Sequence, residues 1–222
     1  MMMAPRGLLE GYGVKEMEVL CKLDDGVRPR SSMPAYGAKL PNAGRPPCHT
    51  IFVGHNPSRA TWESGHYFAN PSNRFWGLLE EAGLVSESTP HLDDVLVNEH
   101  GFAFCDVIEQ PGNDAGSISP SEFRAHTTPF LHRIENYAKS MNGSLKRICF
   151  VGKRQWKHLF TPSLTKCEHG HQEMDFRPDE WPVSIRSVSV WVLPSPSGRA
   201  VISNEKRQAP YNELAHEIKR NR

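Results

Sequence analysis

His49-Thr50-Ile51-Phe52-Val53-Gly54-His55-Asn56-Pro57 begins as an apolar, strand-forming run and breaks on a glycine and a proline. His49 to Val53 therefore reads as a strand and Gly54 to Pro57 as the turn that ends it. Three later segments have the same character: Phe102 to Ile108, Arg147 to Val151 closed by Gly152, and Ser187 to Leu193. Helical signals lie between them. Asn73 can cap a helix carrying Phe75, Trp76, Leu78, Leu79 and Ala82, stopped by Gly83. His91 to Glu99 reads as a second helix ending before Gly101, and Ser119-x-x-Glu122 as a capping box for a helix running to about Met141. A short helix passes through Trp156 to Phe160, and Glu205 to Arg222 forms a last one, interrupted or restarted at Pro210. Ser58 to Ser72 has no periodicity, and Thr161 to Pro182 reads as polar surface loop. Four strands alternating with helices predict an α/β fold, a four-stranded, mainly parallel sheet with helices on both faces. In such sheets the loops at the carboxyl ends of the strands form the functional crevice.

The chain has 222 residues, 38% hydrophobic and 23% charged. That length fits one α/β domain plus a tail. Arg28 to Pro47 is rich in proline, glycine, serine and arginine. Residues 1–46 are accordingly read as a poorly ordered extension, with a short helix around Val14 to Leu23, and 47–222 as the folded domain. A formal charge of +1 supplies no global basic field, so a polyanion partner would need a local patch. No run of about 18 apolar residues is present, which argues against a membrane span. Met1 to Glu10 lacks the apolar core of a secretion signal. Five irregularly spaced cysteines do not read as a disulfide framework. The expectation is an intracellular monomer, nuclear in a eukaryote and cytoplasmic otherwise.

Two loops carry the candidate chemistry. Asn56, presented from a rigid turn, can donate and accept hydrogen bonds and orient a water, though it is no strong base. Phe68, in His66-Tyr67-Phe68-Ala69, offers an aromatic face to a flat conjugated ligand. Spacing alone leaves open that Asn56 merely satisfies the turn and that Phe68 fills core. The second loop is Leu193-Pro194-Ser195-Pro196-Ser197-Gly198-Arg199. Its prolines stiffen the backbone, Ser195 and Ser197 can bind phosphate oxygens, Gly198 permits close approach, and Arg199 can reach outward. In isolation it also reads as a solvated surface loop.

Phe52-Val53-Gly54-His55-Asn56-Pro57, followed by Gly65-His66-Tyr67-Phe68-Ala69-Asn70-Pro71-Ser72-Asn73-Arg74-Phe75-Trp76, resembles the first motif of the mismatch-specific uracil-DNA and thymine-DNA glycosylases. That motif runs Gly-Ile-Asn-Pro-Gly, then an aromatic platform and Asn-x-Phe-Trp. Leu193 to Arg199 is similar to the family's second motif, and the likeness spans roughly residues 49 to 218. The resemblance implies a three-layer α/β/α sandwich that cleaves the bond between deoxyribose and an extruded pyrimidine. It implies that Asn56 positions the attacking water and that Phe68, with Tyr67 and His55 beside it, binds the base. It further implies that Ser195, Ser197, Gly198 and Arg199 bind DNA, Arg199 entering the gap that the base leaves. Double-stranded DNA with uracil or thymine mispaired with guanine is the implied partner, with no cofactor and no metal. A catalytically silent mismatch or lesion reader using the same pocket is the alternative.

The departures are informative. His55 stands where the family has Ile, and Ser58 where it has Gly. Asp106, near the end of the second strand, lies where the family commonly has Asn or Lys. A carboxylate there can act as a general base on water or stabilise a cationic sugar; a capping or ion-pairing role is the other reading. Lys153, following the third strand, is a candidate phosphate contact or a plain solvated helix start. Cys167-x-His169-x-His171 lacks the second ligand pair that zinc sites carry.

Overall fold

The computed structural model describes residues 36–41 and 46–220. The expected helix around Val14 to Leu23, and the arginines Arg28, Arg30 and Arg45 of the extension, lie outside the described residues. Five strands form one sheet: β1 (Thr50–Gly54), β2 (Phe102–Asp106), β3 (Arg147–Val151), β4 (Gly170–Gln172) and β5 (Ser189–Leu193). Their order is β2-β1-β3-β5-β4, with β2, β1, β3 and β5 parallel and β4 antiparallel at the edge. The four expected strands are all present. The fifth lies inside Thr161 to Pro182, which the sequence presented as surface loop. It is only three residues long and largely polar, so no apolar run announced it. Gln172 nevertheless packs inward with its amide donating to the carbonyls of Glu168 and Gly170, and Trp181 of the same segment is fully buried against Phe150 and Trp156.

Strand side chains alternate between two cores, as the two-residue period of a strand requires. Ile51, Val53, Ala103, Cys105, Ile148, Phe150, Val190 and Val192 face one side. There they meet α4 (Pro120–Ala125), α5 (Thr127–Ser140) and α6 (Lys153–His158) through Phe123, Phe130, Leu131, Ile134 and Trp156. Phe52, Phe102, Phe104, Cys149, Val151, Trp191 and Leu193 face the other. They pack on α2 (Phe75–Glu81), α3 (Leu92–Glu99) and α7 (Asn204–Arg220) through Phe75, Trp76, Leu79, Leu96, Tyr211 and Leu214. Both faces are covered, which is why the strands read as nearly continuous apolar runs. Each fully buried Leu or Phe contributes roughly 1.5–3 kcal/mol.

Local signals account for most helix ends. Ser119 Oγ accepts the Glu122 N–H at 3.2 Å, but the helix it opens breaks at His126 into α4 and α5. Asn73 Oδ1 accepts the Phe75 N–H at 2.9 Å, and Gly83 takes the left-handed conformation after α2. A helix the sequence concealed, α1 (Arg59–Ser64), lies within Ser58 to Ser72. It has no apolar stripe, and is fixed by Ser58 at its start and by Gly65, at φ 74°, at its end. Ser58, the departure from the family glycine, is thus a helix cap. α7 runs unbroken through Pro210. An interior proline costs about 3 kcal/mol, but Gln208, Tyr211, Leu214 and Ala215 are buried around it and hold the helix.

Residues 36–41, which the sequence assigned to the extension, lie along β2. Lys39 exchanges both backbone hydrogen bonds with Phe104 at 2.9 Å. Among the described residues no helix is long and apolar enough to cross a membrane.

A partly buried ion pair ties α7 to the sheet: Arg147, itself buried, donates through Nε to Glu217 Oε1 at 2.6 Å. Removing one member leaves the other charge without its partner. Glu217→Ala is expected to cost on the order of 3 kcal/mol in urea unfolding, and the double variant Arg147→Met, Glu217→Leu to recover most of it. Equal losses in both would contradict this.

Candidate active site

The chain moves from β1 outward to β2 and then crosses back to β3, so the strand order reverses beside β1. Crevices form at such a point, outside the carboxyl ends of the strands. Here a cleft of about 580 Å³ is lined by residues that follow β1, β2 and β5 and by Val151 at the end of β3. His55, Asn56, Tyr67, Phe68, Asp106, Ser195, Ser197 and Arg199 all line it. Gly198 lies at its margin, where an added Cβ would come 3.0 Å from the Ser72 carbonyl. Lys153 is not brought in; it lines a separate groove with Lys157, Lys166 and Glu168.

Strand register sets the centre of the site. Gly54 is paired with Asp106, and the Val107 and Ile108 amides donate to the carbonyls of Gly54 and His55. A Cβ at position 54 would stand 1.9 Å from Asp106 Oδ1 and 3.7 Å from Phe68 Cε1. Only glycine lets the carboxyl and the aromatic ring converge over this strand end. Burial pushes the Asp106 carboxyl up to about 7, against the downward pull of the Tyr36 hydroxyl and the Arg133 guanidinium, while nearby Glu109 adds to the rise. Tyr36 donates to Asp106 Oδ2 at 2.7 Å. Oδ1 has no hydrogen-bond partner among the described residues.

Asn56 is held from both ends of its amide. Its Nδ2 donates to the Gly112 carbonyl at 2.9 Å, and its Oδ1 lies 2.9 Å from His55 Nδ1. The Gly112 contact requires a donor, which fixes the amide orientation and makes His55 Nδ1 the proton-bearing nitrogen. Burial holds the His55 imidazole down to about 4, so it is neutral at physiological pH. Its ring tilts against Phe123, and its Nε2 is buried without a partner among the described residues. His55 and Gly112 together therefore orient Asn56, and the sequence did not reveal this because Gly112 is distant in the chain. Its Nδ2 also lies 3.5 Å from the Pro57 carbonyl, a long contact, and one lone pair of Oδ1 remains for a water or ligand.

The aromatic platform is rigid. Phe68 has φ 56°, a left-handed conformation that a bulky residue adopts only under constraint. The constraints precede it: Asp93 accepts the Tyr67 N–H at 2.8 Å, and Trp76 Nε1 donates to the Tyr67 carbonyl at 2.9 Å. The Phe68 ring stacks on Phe75 at 4.0 Å between centroids. Across the cleft the second loop is also anchored, Tyr211 donating to the Pro194 carbonyl and the Arg74 amide to that of Pro196. Beyond these anchors Arg199 is 78% exposed, 3.8 Å from Asp114. Val201, which carried no signal in the sequence, is fully exposed beside it. Cys167, His169 and His171 do not gather. Cys167 donates to the Glu168 carbonyl, and His171 packs edge-on to Trp191. His66, Asp93 and Asp94 do gather, with Lys39 among them.

A cleft at the switch point of a mainly parallel sheet, holding a fixed amide, a buried carboxyl and an aromatic face, is suited to hydrolysis beside a flat ring. The sequence matches the family model of the uracil DNA glycosylase superfamily over residues 41–219, and the chain belongs to that superfamily. It is thus a DNA glycosylase of base excision repair, a hydrolase that acts on uracil in DNA.

The site has a cost in stability. In the unfolded chain the Asp106 carboxyl titrates near its ordinary value of 3.8, and in the folded protein near 7. Between those values the folded state holds a proton that the unfolded state has released. Stability therefore falls as pH rises from about 4 to about 7, and the penalty is complete above. Asp106→Asn is expected to gain melting temperature relative to the parent as pH is raised through this window. A difference that does not change with pH would contradict a carboxyl raised by burial.

Proposed function

We propose that this glycosylase removes uracil, and thymine as a secondary base, from mispairs with guanine in double-stranded DNA. The reading rests chiefly on Asn56 and Asp106 facing one cleft from the ends of adjacent strands, with Phe68 lining the same cleft. A mispaired base costs least to unstack, so it is the one most readily extruded into such a cleft. Phe68 stacks beneath the extruded base while Arg199, on its exposed loop, enters the vacated gap and offsets part of the unstacking cost. Ser195, Ser197 and Gly198 lie along the flanking backbone.

In the proposed reaction Asn56 and Asp106 hold a water beneath the sugar. Its oxygen bonds to the anomeric carbon, its proton passes to Asp106 Oδ1, and the glycosidic electron pair leaves with the base. Asn56 is a weak activator, so its contribution is positioning; Asp106 supplies the basicity. No lysine is among the residues described as lining the cleft, which supports a monofunctional enzyme with no Schiff-base step.

Labelled duplexes containing G·U, G·T or A·U, together with single-stranded uracil, followed by alkaline cleavage of abasic sites, test the reading. G·U is expected to be cut fastest and G·T more slowly. Asn56→Ala and Asp106→Asn should each lose about 100-fold or more in single-turnover rate. Asp106 must be ionised to accept a proton, so the parent rate should rise with pH through about 7 and then level off. Tight G·U binding without cleavage would favour a silent mismatch reader, and equal rates on A·U and G·U would remove the mispair preference.

A further inference from the structure

Tyr36 and Lys39 lie before residue 41, where the superfamily match begins. Both nevertheless reach the neighbourhood of the cleft. Tyr36 donates to Asp106 Oδ2 at 2.7 Å. Its ring is stacked on Trp62 of α1, with centroids 5.2 Å apart, and tilted against Tyr67 at 5.7 Å. The Tyr67 hydroxyl in turn donates to the Gly37 carbonyl at 3.3 Å. Three residues on, Lys39 anchors the same strand-like segment in two ways. Its backbone pairs with Phe104, and its ammonium lies 2.9 Å from Asp93 Oδ1, 2.7 Å from Asp94 Oδ1 and 3.4 Å from His66 Nδ1. The His66, Asp93 and Asp94 cluster thus holds a cation that belongs to the chain. Asp93 is fully buried and also fixes the Tyr67 backbone, so one carboxylate ties the segment to the platform.

We propose that Tyr36 is a positioning residue for the hydrolytic step: its hydroxyl holds Asp106 Oδ2 so that Oδ1 is left toward the cleft as the proton acceptor, and Lys39 clasps the segment that delivers it. The inference rests on the reading of Asp106 as the base. Hydrogen bonding to a carboxylate favours its ionised form. Among the groups facing Asp106, Tyr36 donates to it and Arg133, from α5, attracts its charge. Glu109 opposes that charge, and Tyr67 and Cys105 are kept protonated by burial first and by Asp106 second. Tyr36 itself is driven well above the usual phenol range by burial and by Asp106, so it remains a donor. Loss of its hydroxyl leaves burial opposed only by Arg133, and Asp106 then ionises at higher pH.

The test is the single-turnover pH–rate profile of the full chain on a G·U duplex, for the parent and for Tyr36→Phe, Lys39→Met and Asp106→Asn. Asp106→Asn should lose most of the rate and the rise with pH. Tyr36→Phe should move the acid limb up by about one pH unit, a loss of about tenfold near pH 6 that shrinks toward pH 9. Lys39→Met should displace the limb in the same direction by less; an unmoved limb there overturns the clasp. If Asp106→Asn is inactive but Tyr36→Phe shows no loss, or the same loss at every pH, the inference about Tyr36 is overturned and the reading of Asp106 stands. If Asp106→Asn keeps the parent rate and pH dependence, both are overturned.

Discussion

The Asp106 carboxyl occupies the space that a side chain at residue 54 would fill, and the arrangement of the cleft follows from that contact. It exists because β1 and β2 are in parallel register with Gly54 opposite Asp106. The same register carries β1 on into His55 and Asn56, whose backbone is tied to the residues after Asp106. An amide able to orient a water and a carboxyl able to receive a proton therefore face one cleft from the ends of adjacent strands. Burial raises the carboxyl toward neutrality, where a base is best matched to physiological pH.

Rigidity around this contact comes from polar groups spent on backbone. Asp93 and Trp76 fix Tyr67, which forces Phe68 into its left-handed conformation above Phe75. His55 and Gly112 fix Asn56. A flat ligand entering the cleft meets a platform and an amide already in place, so little ordering remains at the moment of binding. Arg199 and Val201 are the contrast, their side chains exposed although the loop backbone is held at Pro194 by Tyr211 and at Ala200 by Arg207.

Much of this was legible in the sequence, and what was not has physical reasons. The four parallel strands announced themselves through apolar runs, three of them ending directly on glycine or proline. The motifs around Asn56, Phe68 and Arg199 gave the superfamily, and the fold gathers the candidate residues in one cleft except Gly198, at its margin, and Lys153, whose place after β3 directs it to another groove. β4 and α1 escaped because short polar elements carry no periodicity, and the unbroken α7 because packing outweighed proline. His55 showed its position but not its partner. Tyr36 was invisible because it sits in a proline- and glycine-rich stretch whose composition reads as tail, while its order comes from tertiary contacts with Asp106, Trp62 and Tyr67.

In the proposed reaction Asn56 and Asp106 act together on one water. Single-turnover rates on a G·U duplex for Asn56→Ala, Asp106→Asn and the double variant measure this directly. Residues that act as a unit are strongly non-additive. The double variant is predicted to be about as slow as the slower single variant. Losses that multiply, as for independent steps, would contradict a shared water and separate the two residues' roles.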